Sequence, residues 1–442
     1  MRHWQEYFPR ESRCPPVIYL DLWPTAPLLA IVNDPALCAQ AVQQKSLPRS
    51  WQSKFLVSPL TKGIDLGSAG TDIAFHRLLR SQYAPAFSPK NLMAGVPALV
   101  EEASVFADCI RTLTTDNGTW GEVFSLEEKA SALVFEVMAR FTVDLHLGEQ
   151  TNGHSALRTA ILRQTGNLVP KMLTTLPRRS NPLYHLDVWR TNQKIKGILE
   201  PMIRSRFYSG DEMGLKYGRR TSLDVVVNAW RAGNRLQHSR RAKEAMINSA
   251  LQNVKMFMLA GVDSTTASIC FTLQLLGRNP RVLERLRAEH LEAFGPNLAS
   301  TADIIRQSPE KLNTLPFTLA VIKESLRICP IALTVRQGDA GFTLTSDGAS
   351  YPTESFQVQT GVWNIHLDPT YWPRVDEFLP ERWLVAKGDP LYPVKNAWRP
   401  FEQGPMNCVG QELALLTTKL ALIFVVREFD VEYGWEEWDQ KR

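Results

Sequence analysis

The pattern from Ala242 to Leu276 is the longest helical run in the sequence and the strongest constraint on the fold. At 1.5 Å per residue it spans about 50 Å, and its apolar stretch Val254, Met256, Phe257, Met258 and Leu259 has to be covered by other elements. The chain can supply that cover: its 442 residues, 44% of them hydrophobic, suffice for a large core. Directly after the apolar stretch stand Gly261, Asp263, Ser264, Thr265 and Thr266. Glycine costs a helix about 1 kcal/mol relative to alanine, and a carboxylate beside hydroxyls is expensive to bury unless it is bonded or does chemistry. Two readings stay open at this point. Either Ser264 and Thr265 bond back to carbonyls one turn earlier, or the core helix carries a polar site.

Length alone allows one large domain or two to three ordinary ones, and no repeat or low-complexity linker divides the chain. The net charge of +5 is modest and its basic residues are scattered among acidic ones, which excludes a nucleic-acid stripe and leaves room for an acidic protein partner. Six cysteines (Cys14, Cys38, Cys109, Cys270, Cys329, Cys408) occur singly, with no CxxC pair, which argues against a disulfide framework or a zinc site and for a reducing compartment. Near the N-terminus Pro15, Pro16, Asp21, Pro24 and Asp34 interrupt every apolar run, so a soluble chain is expected.

Pro16 to Val32 reads as a β-hairpin and Ala36 to Gln44 as a helix capped by Asp34 with Pro35 at its first position. Ala74 to Tyr83 reads as a short basic helix that puts His76 and Arg80 on one face; it is either a solvated surface helix or a pair of donors for an anion. Pro97 to Phe141, Ala156 to Met172 and Trp189 to Phe207 show amphipathic helical patterns, while Gly210 to Gly218 and Arg231 to Arg241 read as exposed loops or helix ends. Asn279-Pro280 caps and opens a further helix. Leu315 to Ile328 is helical and contains Glu324 and Arg327, spaced to meet. Ala332 to Arg336 and Phe342 to Tyr351 read as short strands, Phe356 to His366 as extended, and Trp372 to Trp383 as an irregular stretch rich in proline and tryptophan.

Near the C-terminus the loop Phe401-Glu402-Gln403-Gly404-Pro405-Met406-Asn407-Cys408-Val409-Gly410 leads into an apolar helix expected over Gln411 to Val426. Gly404 and Gly410 tolerate positive φ, and a thiol before a helix N-terminus is favoured as thiolate. Cys408 is therefore a candidate metal ligand, set against the blander reading of a cysteine acting as a small hydrophobe.

Four separated elements occur in a fixed order: Ala-Gly-x-Asp-Ser-Thr, Glu-x-x-Arg, Pro-Glu-Arg-Trp and Phe-x-x-Gly-x-x-x-Cys-x-Gly. Together they resemble a cytochrome P-450, a haem-thiolate monooxygenase, from about Pro16 to the end. Tyr19-Leu-Asp-Leu-Trp-Pro24 and Trp398-Arg-Pro-Phe-Glu-Gln-Gly404 place the resemblance nearest to microsomal-type fungal enzymes of secondary metabolism. The resemblance implies a single domain, mainly α with a small β-rich lobe, and haem b between the long helix and the cysteine loop. It implies that Cys408 is the iron ligand, with Phe401, Gly404, Gly410 and Gly261 around the haem. Asp263 and Ser264, with Thr265 in reserve, match the acid–alcohol pair that relays protons in dioxygen activation. Glu324, Arg327 and Arg382 match a buried structural network, and His76, Arg80 and Arg336 match positions that hold haem propionates. The family chemistry inserts one oxygen atom into a lipophilic small molecule, with electrons from NADPH through a flavoprotein reductase, for which Arg399 and Lys419 are candidate contacts. A haem-thiolate isomerase or peroxide-using enzyme, and a catalytically weak haem-binding protein, are the alternatives. The substrate-facing loops, Gly63 to Ile73, Ser180-Asn181-Pro182 and Pro330 to Thr334, imply an apolar pocket of medium size.

Three positions depart from the family pattern. Met406 stands where arginine or histidine is usual, which removes one propionate contact and implies weakened haem retention. Ser264 stands where threonine is usual. Many relatives also begin with a membrane anchor and run past Trp435 to Asp439, so this chain is expected to be shorter than they are; a cytoplasmic location follows if it is complete, and the cytosolic face of the endoplasmic reticulum if an anchor precedes it.

Overall fold

The computed structural model describes residues 14–24, 26–115, 120–168, 181–209, 219–232 and 239–435. The expected loop 210–218, Ser180, residues 169–172 and most of the 231–241 segment lie outside the described residues. The chain forms two compact units: one from residues 1–53, 70–72 and 323–408, the other from 54–69, 73–322 and 409–442.

The first unit is built on a four-stranded sheet in the order β1 (Val17–Leu20), β2 (Leu29–Val32), β6 (Gln357–Thr360), β3 (Val335–Gln337). The expected hairpin is β1 and β2, paired antiparallel, and β2 then pairs parallel with β6. Asp34 ends β2 and starts the helix Pro35–Ala39, its carboxylate accepting from the N–H groups of Ala36 (2.8 Å) and Leu37 (2.9 Å). Phe342 to Tyr351 is not one strand. It is a hairpin of β4 (Thr343–Ser346) and β5 (Ala349–Pro352) about Asp347-Gly348, both at positive φ (48° and 78°), which is what a tight two-residue turn demands. Phe356 to His366 is extended only through β6. The ladder partner Val32 ends opposite Thr360, and the backbone beyond satisfies itself as the short helix Val362–His366. Val32, Leu37, Val42, Leu47, Val358, Ile365 and Trp372 form the core of this unit.

The second unit surrounds the long helix Arg240–Gly277, which Ser239 caps at the Ala242 N–H (3.2 Å). Helices Leu126–Val143, Pro182–Tyr208 and Gln411–Val426 pack against it. The last of these begins and ends where the apolar pattern predicts and is buried on nearly every side. The Pro97 to Phe141 pattern resolves into two helices, Pro89–Arg111 and Leu126–Val143, capped by Ser88 and Ser125; Pro97 lies inside the first rather than at its start. Trp189 to Phe207 extends back to Pro182, with Asn181 as cap. Among the described residues, Arg240–Gly277 alone is long and apolar enough to cross a membrane by length and composition, and half of its most apolar window is buried inside the protein.

Candidate functional site

The cysteine loop is closed by its own backbone. The Cys408 N–H donates to the Phe401 carbonyl at 2.9 Å and the Asn407 N–H to the Gly404 carbonyl at 3.1 Å. Gly404 has φ +82°, and a Cβ there would stand 2.2 Å from the Val42 carbonyl oxygen, so only glycine fits. Gly410 differs from expectation: it is the helix N-cap at φ −89°, where any residue is allowed. Cys408 is the exposed one of the six cysteines. Burial raises the thiols of Cys14, Cys109, Cys38 and Cys270, the last two to about 12, so these are poor thiolates. Phe401 stacks edge-on against Trp398 (6.0 Å between centroids), which continues through Trp383 to Trp372 as a row of rings behind the loop.

Glu324, Arg327 and Arg382 meet as predicted, each fully buried. Glu324 Oε1 accepts from Arg327 at 2.8 Å and from Arg382 at 3.0 Å, while Oε2 accepts from the Trp383 indole at 3.0 Å. The two guanidinium groups also donate to the carbonyls of His366, Val375, Glu377 and Pro373, while Arg327 Nε has no partner among the described residues, so this cluster ties down the proline- and tryptophan-rich stretch. Nothing in the sequence singled out His366. Burial and the adjacent Arg327 charge hold it down to about 3, hence neutral; its Nε2 accepts the Arg399 N–H at 2.9 Å, so Nδ1 carries the proton and faces the Arg327 carbonyl at 3.2 Å. Arg399 in turn pairs with Glu402, whose other oxygen accepts from the Thr360 hydroxyl at 2.8 Å. The i,i+3 spacing of Arg399 and Glu402 was the one visible signal of this link. Arg399 is therefore 1% exposed, and Lys419 donates into the protein to the Leu312 carbonyl. Both are corrected as reductase contacts, because neither presents its charge to a partner.

Arg336 is fully buried on β3. One terminal nitrogen donates to the Leu47 carbonyl (3.3 Å) and to the Met406 sulfur (2.8 Å); Nε and the other terminal nitrogen have no partner among the described residues. Burial, followed by the charge of Arg49, pushes this guanidinium down to about 10. Unmet donors inside a protein call for an anion, so the residues fit a haem carboxylate. Met406 is buried and takes up an Arg336 donor instead of leaving a gap.

In the other unit, His76 is buried and Arg80 half-buried one turn apart on the helix Ile73–Tyr83, which removes the fully solvated reading. On the long helix the Ser264 hydroxyl donates to the Ala260 carbonyl at 2.8 Å, as the local reading allowed. Thr265 is buried. Solvent reaches Asp263, yet the surrounding protein still raises its carboxyl above the usual range, and the Glu127 charge adds to this. The space beside Gly261 is filled by the Met138 side chain: a Cβ would stand 2.7 Å from its sulfur, so the glycine permits close packing of two helices. Ala260, Asp263 and Phe271 are exposed and Ser264 and Ala267 partly so, in the middle of a helix whose neighbouring residues Val262, Thr265, Thr266 and Ile269 are buried.

Residues 19–440 match the cytochrome P-450 family. Among similar proteins, cytochrome P-450 monooxygenase polC of Polytolypa hystricis is 34% identical over 96% of this chain and 75% of its own length. Cytochrome P-450 monooxygenase acrF of Aspergillus aculeatus is 27% identical over 96% and 85%, and cytochrome P-450 4V2 of Rattus norvegicus 25% over 98% and 79%. The match runs almost end to end, and the chain belongs to the cytochrome P-450 family of haem-dependent monooxygenases.

Proposed function

We propose that this protein inserts one atom of dioxygen into a lipophilic small molecule in a fungal biosynthetic pathway for a secondary metabolite, with electrons from NADPH through a flavoprotein reductase. Haem b, when bound, supplies the iron at which dioxygen is activated, a redox chemistry no side chain provides. Cys408 is the thiolate ligand; the Phe401 carbonyl and the Gly404 turn fix the backbone that presents it. Arg336 would take a haem carboxylate through the two nitrogens that lack partners among the described residues; His76 and Arg80 are the donors to which the family resemblance gives the same role. Asp263 collects protons from solvent, its raised carboxyl making it a better proton carrier near neutral pH than an ordinary aspartate. Ser264, whose own hydrogen is bonded to the Ala260 carbonyl, presents its oxygen as an acceptor and would orient a water that carries the proton onward. Thr265, being buried, is the weaker relay candidate.

The observation that carries this reading is the exposed Cys408 on a glycine-locked loop. A carbon monoxide difference spectrum of the reduced protein tests it. A strongly red-shifted Soret band in the parent, lost in Cys408→Ser, is the expected result; a parent without that band overturns thiolate ligation. Turnover with NADPH and reductase is expected to exceed turnover with peroxide alone, and the reverse would reassign the protein to the peroxide-using class.

A further inference from the structure

We infer that Arg49 is a further haem-binding residue, supplying to a haem carboxylate the positive charge that the cysteine loop, with Met406, does not. The inference rests on the haem reading above and adds a residue that no sequence motif marks.

The backbone at Arg49 is held from both sides. It bridges antiparallel to Arg336; the Ser50 N–H donates to the Val335 carbonyl at 3.0 Å, the Gln337 N–H to the Pro48 carbonyl at 2.8 Å, and the Arg49 N–H itself to the Gly70 carbonyl at 2.7 Å. Residues directly opposed in this way have their side chains side by side, and like charges so placed destabilise the pair. The Arg49 side chain is laid across Gly70, where a Cβ would stand 2.6 Å from its Cγ and Cδ. A terminal nitrogen reaches the Met406 carbonyl at 3.5 Å, while Arg336 holds the Met406 sulfur at 2.8 Å. Two guanidinium groups therefore converge on one residue of the cysteine loop, one on its backbone and one on its side chain. Their repulsion is visible at Arg336, which the Arg49 charge helps to depress, and Glu402 is the one carboxylate whose charge opposes it there. Arg336 makes no ion pair among the described residues and keeps two nitrogens without partners in full burial. An uncharged long side chain would fill the groove over Gly70 equally well. Two converging forks suit a carboxylate, and an anion between them would relieve the repulsion of the pair. The position in the loop from which such a cation would otherwise come is residue 406, and here it is a thioether with no charge to give.

The test is the rate at which the holoenzyme gives up haem to excess apomyoglobin, measured for the parent, Arg49→Gln, Arg49→Lys and the double variant Arg49→Gln/Met406→Arg. Each is loaded with haem and, separately, with haem dimethyl ester, in which both carboxylates are masked. Loss of one charge-assisted contact corresponds to about a tenfold faster release, and this is expected for Arg49→Gln with haem. Arg49→Lys is expected to stay within about threefold of the parent, and Met406→Arg to bring the double variant back to the same range. With the ester the parent and Arg49→Gln should release at equal rates. An Arg49→Gln release within twofold of the parent overturns the inference. So does an acceleration that persists with the ester, which would make Arg49 a structural tie. A parent that shows the thiolate band and is indifferent to Arg49 refutes this assignment alone, whereas a parent lacking the band refutes the functional reading with it.

Discussion

At Ser264 the hydroxyl hydrogen is engaged with Ala260, which leaves the oxygen as acceptor, and Asp263, with its raised carboxyl, is the proposed source of protons. Asp263→Asn is accordingly expected to lower kcat about a hundredfold or more, with haem content and the carbon monoxide spectrum unchanged. Ser264→Ala is expected to act on the yield instead: NADPH is still consumed, less of it appears in product, and more peroxide is released. Equal product per NADPH in Ser264→Ala and the parent would move the relay to Thr265. Residues whose type is fixed by the chemistry were readable in the sequence. Glu324 and Arg327 stand at i,i+3 and Arg382 in the Pro-Glu-Arg-Trp motif, and the three meet in the fold. His366 and Arg49 were not readable, because their partners arrive from segments far away in the chain and no local pattern marks them. Arg399 and Lys419 misled for the opposite reason: arginine and lysine are usually exposed, and here a histidine-bonded backbone and a carbonyl draw them in.

On the scale of elements, one carboxylate joins the helix Pro316–Ile328 to the stretch that follows β6. Glu324→Gln would leave two buried guanidinium groups without a counter-charge, a loss of about 3–5 kcal/mol. The expected result is a chain that unfolds at much lower denaturant or accumulates as insoluble protein, whereas Trp383→Phe, which removes one hydrogen bond to the same carboxylate, is expected to cost about 1 kcal/mol. Similar losses in the two variants would show that Glu324 is not the hub. Helix starts at Asp34 and Asn279-Pro280 were legible locally, the first because side chain and proline both fix it and the second through proline, since the Asn279 side chain bonds back to the Leu275 carbonyl instead. The β4–β5 hairpin was misread although Asp347-Gly348 is a strong turn signal, since the flanking residues look alike on both sides. The helical end of the Phe356 to His366 stretch was illegible for a different reason. It depends on where β2 stops, and that is information held elsewhere in the chain.

For the molecule as a whole, two buried histidines set an acid limit. His366 in the first unit and His290 in the second are both held down to about 3 by burial first and neighbouring positive charge second. Unfolded, each would bind a proton near pH 6.5. Between about 6.5 and 3 the unfolded chain therefore carries more protons than the folded one, so stability is full above pH 6.5 and falls as the pH drops, by ~1.4 kcal/mol per pH unit for each histidine. The urea midpoint should be flat from pH 7 to 8 and decline below 6, with a shallower decline in His290→Gln. A midpoint at pH 5 as high as at pH 7.5 would contradict this. The first unit carries a different consequence, one of timing. Its strand β2 has its parallel partner in β6, about 330 residues further on, and the unit is complete only at Cys408. At ~5–20 residues per second a ribosome needs roughly 15–60 s to make that interval. Until then β1 and β2 stand as an isolated hairpin, marginal in water, with an apolar edge open to any passing strand. Cys408, the proposed iron ligand, is the last residue of its unit to be made, so on that reading haem has no ligand to meet on the nascent chain, and the enzyme is most vulnerable before it has anything to catalyse with.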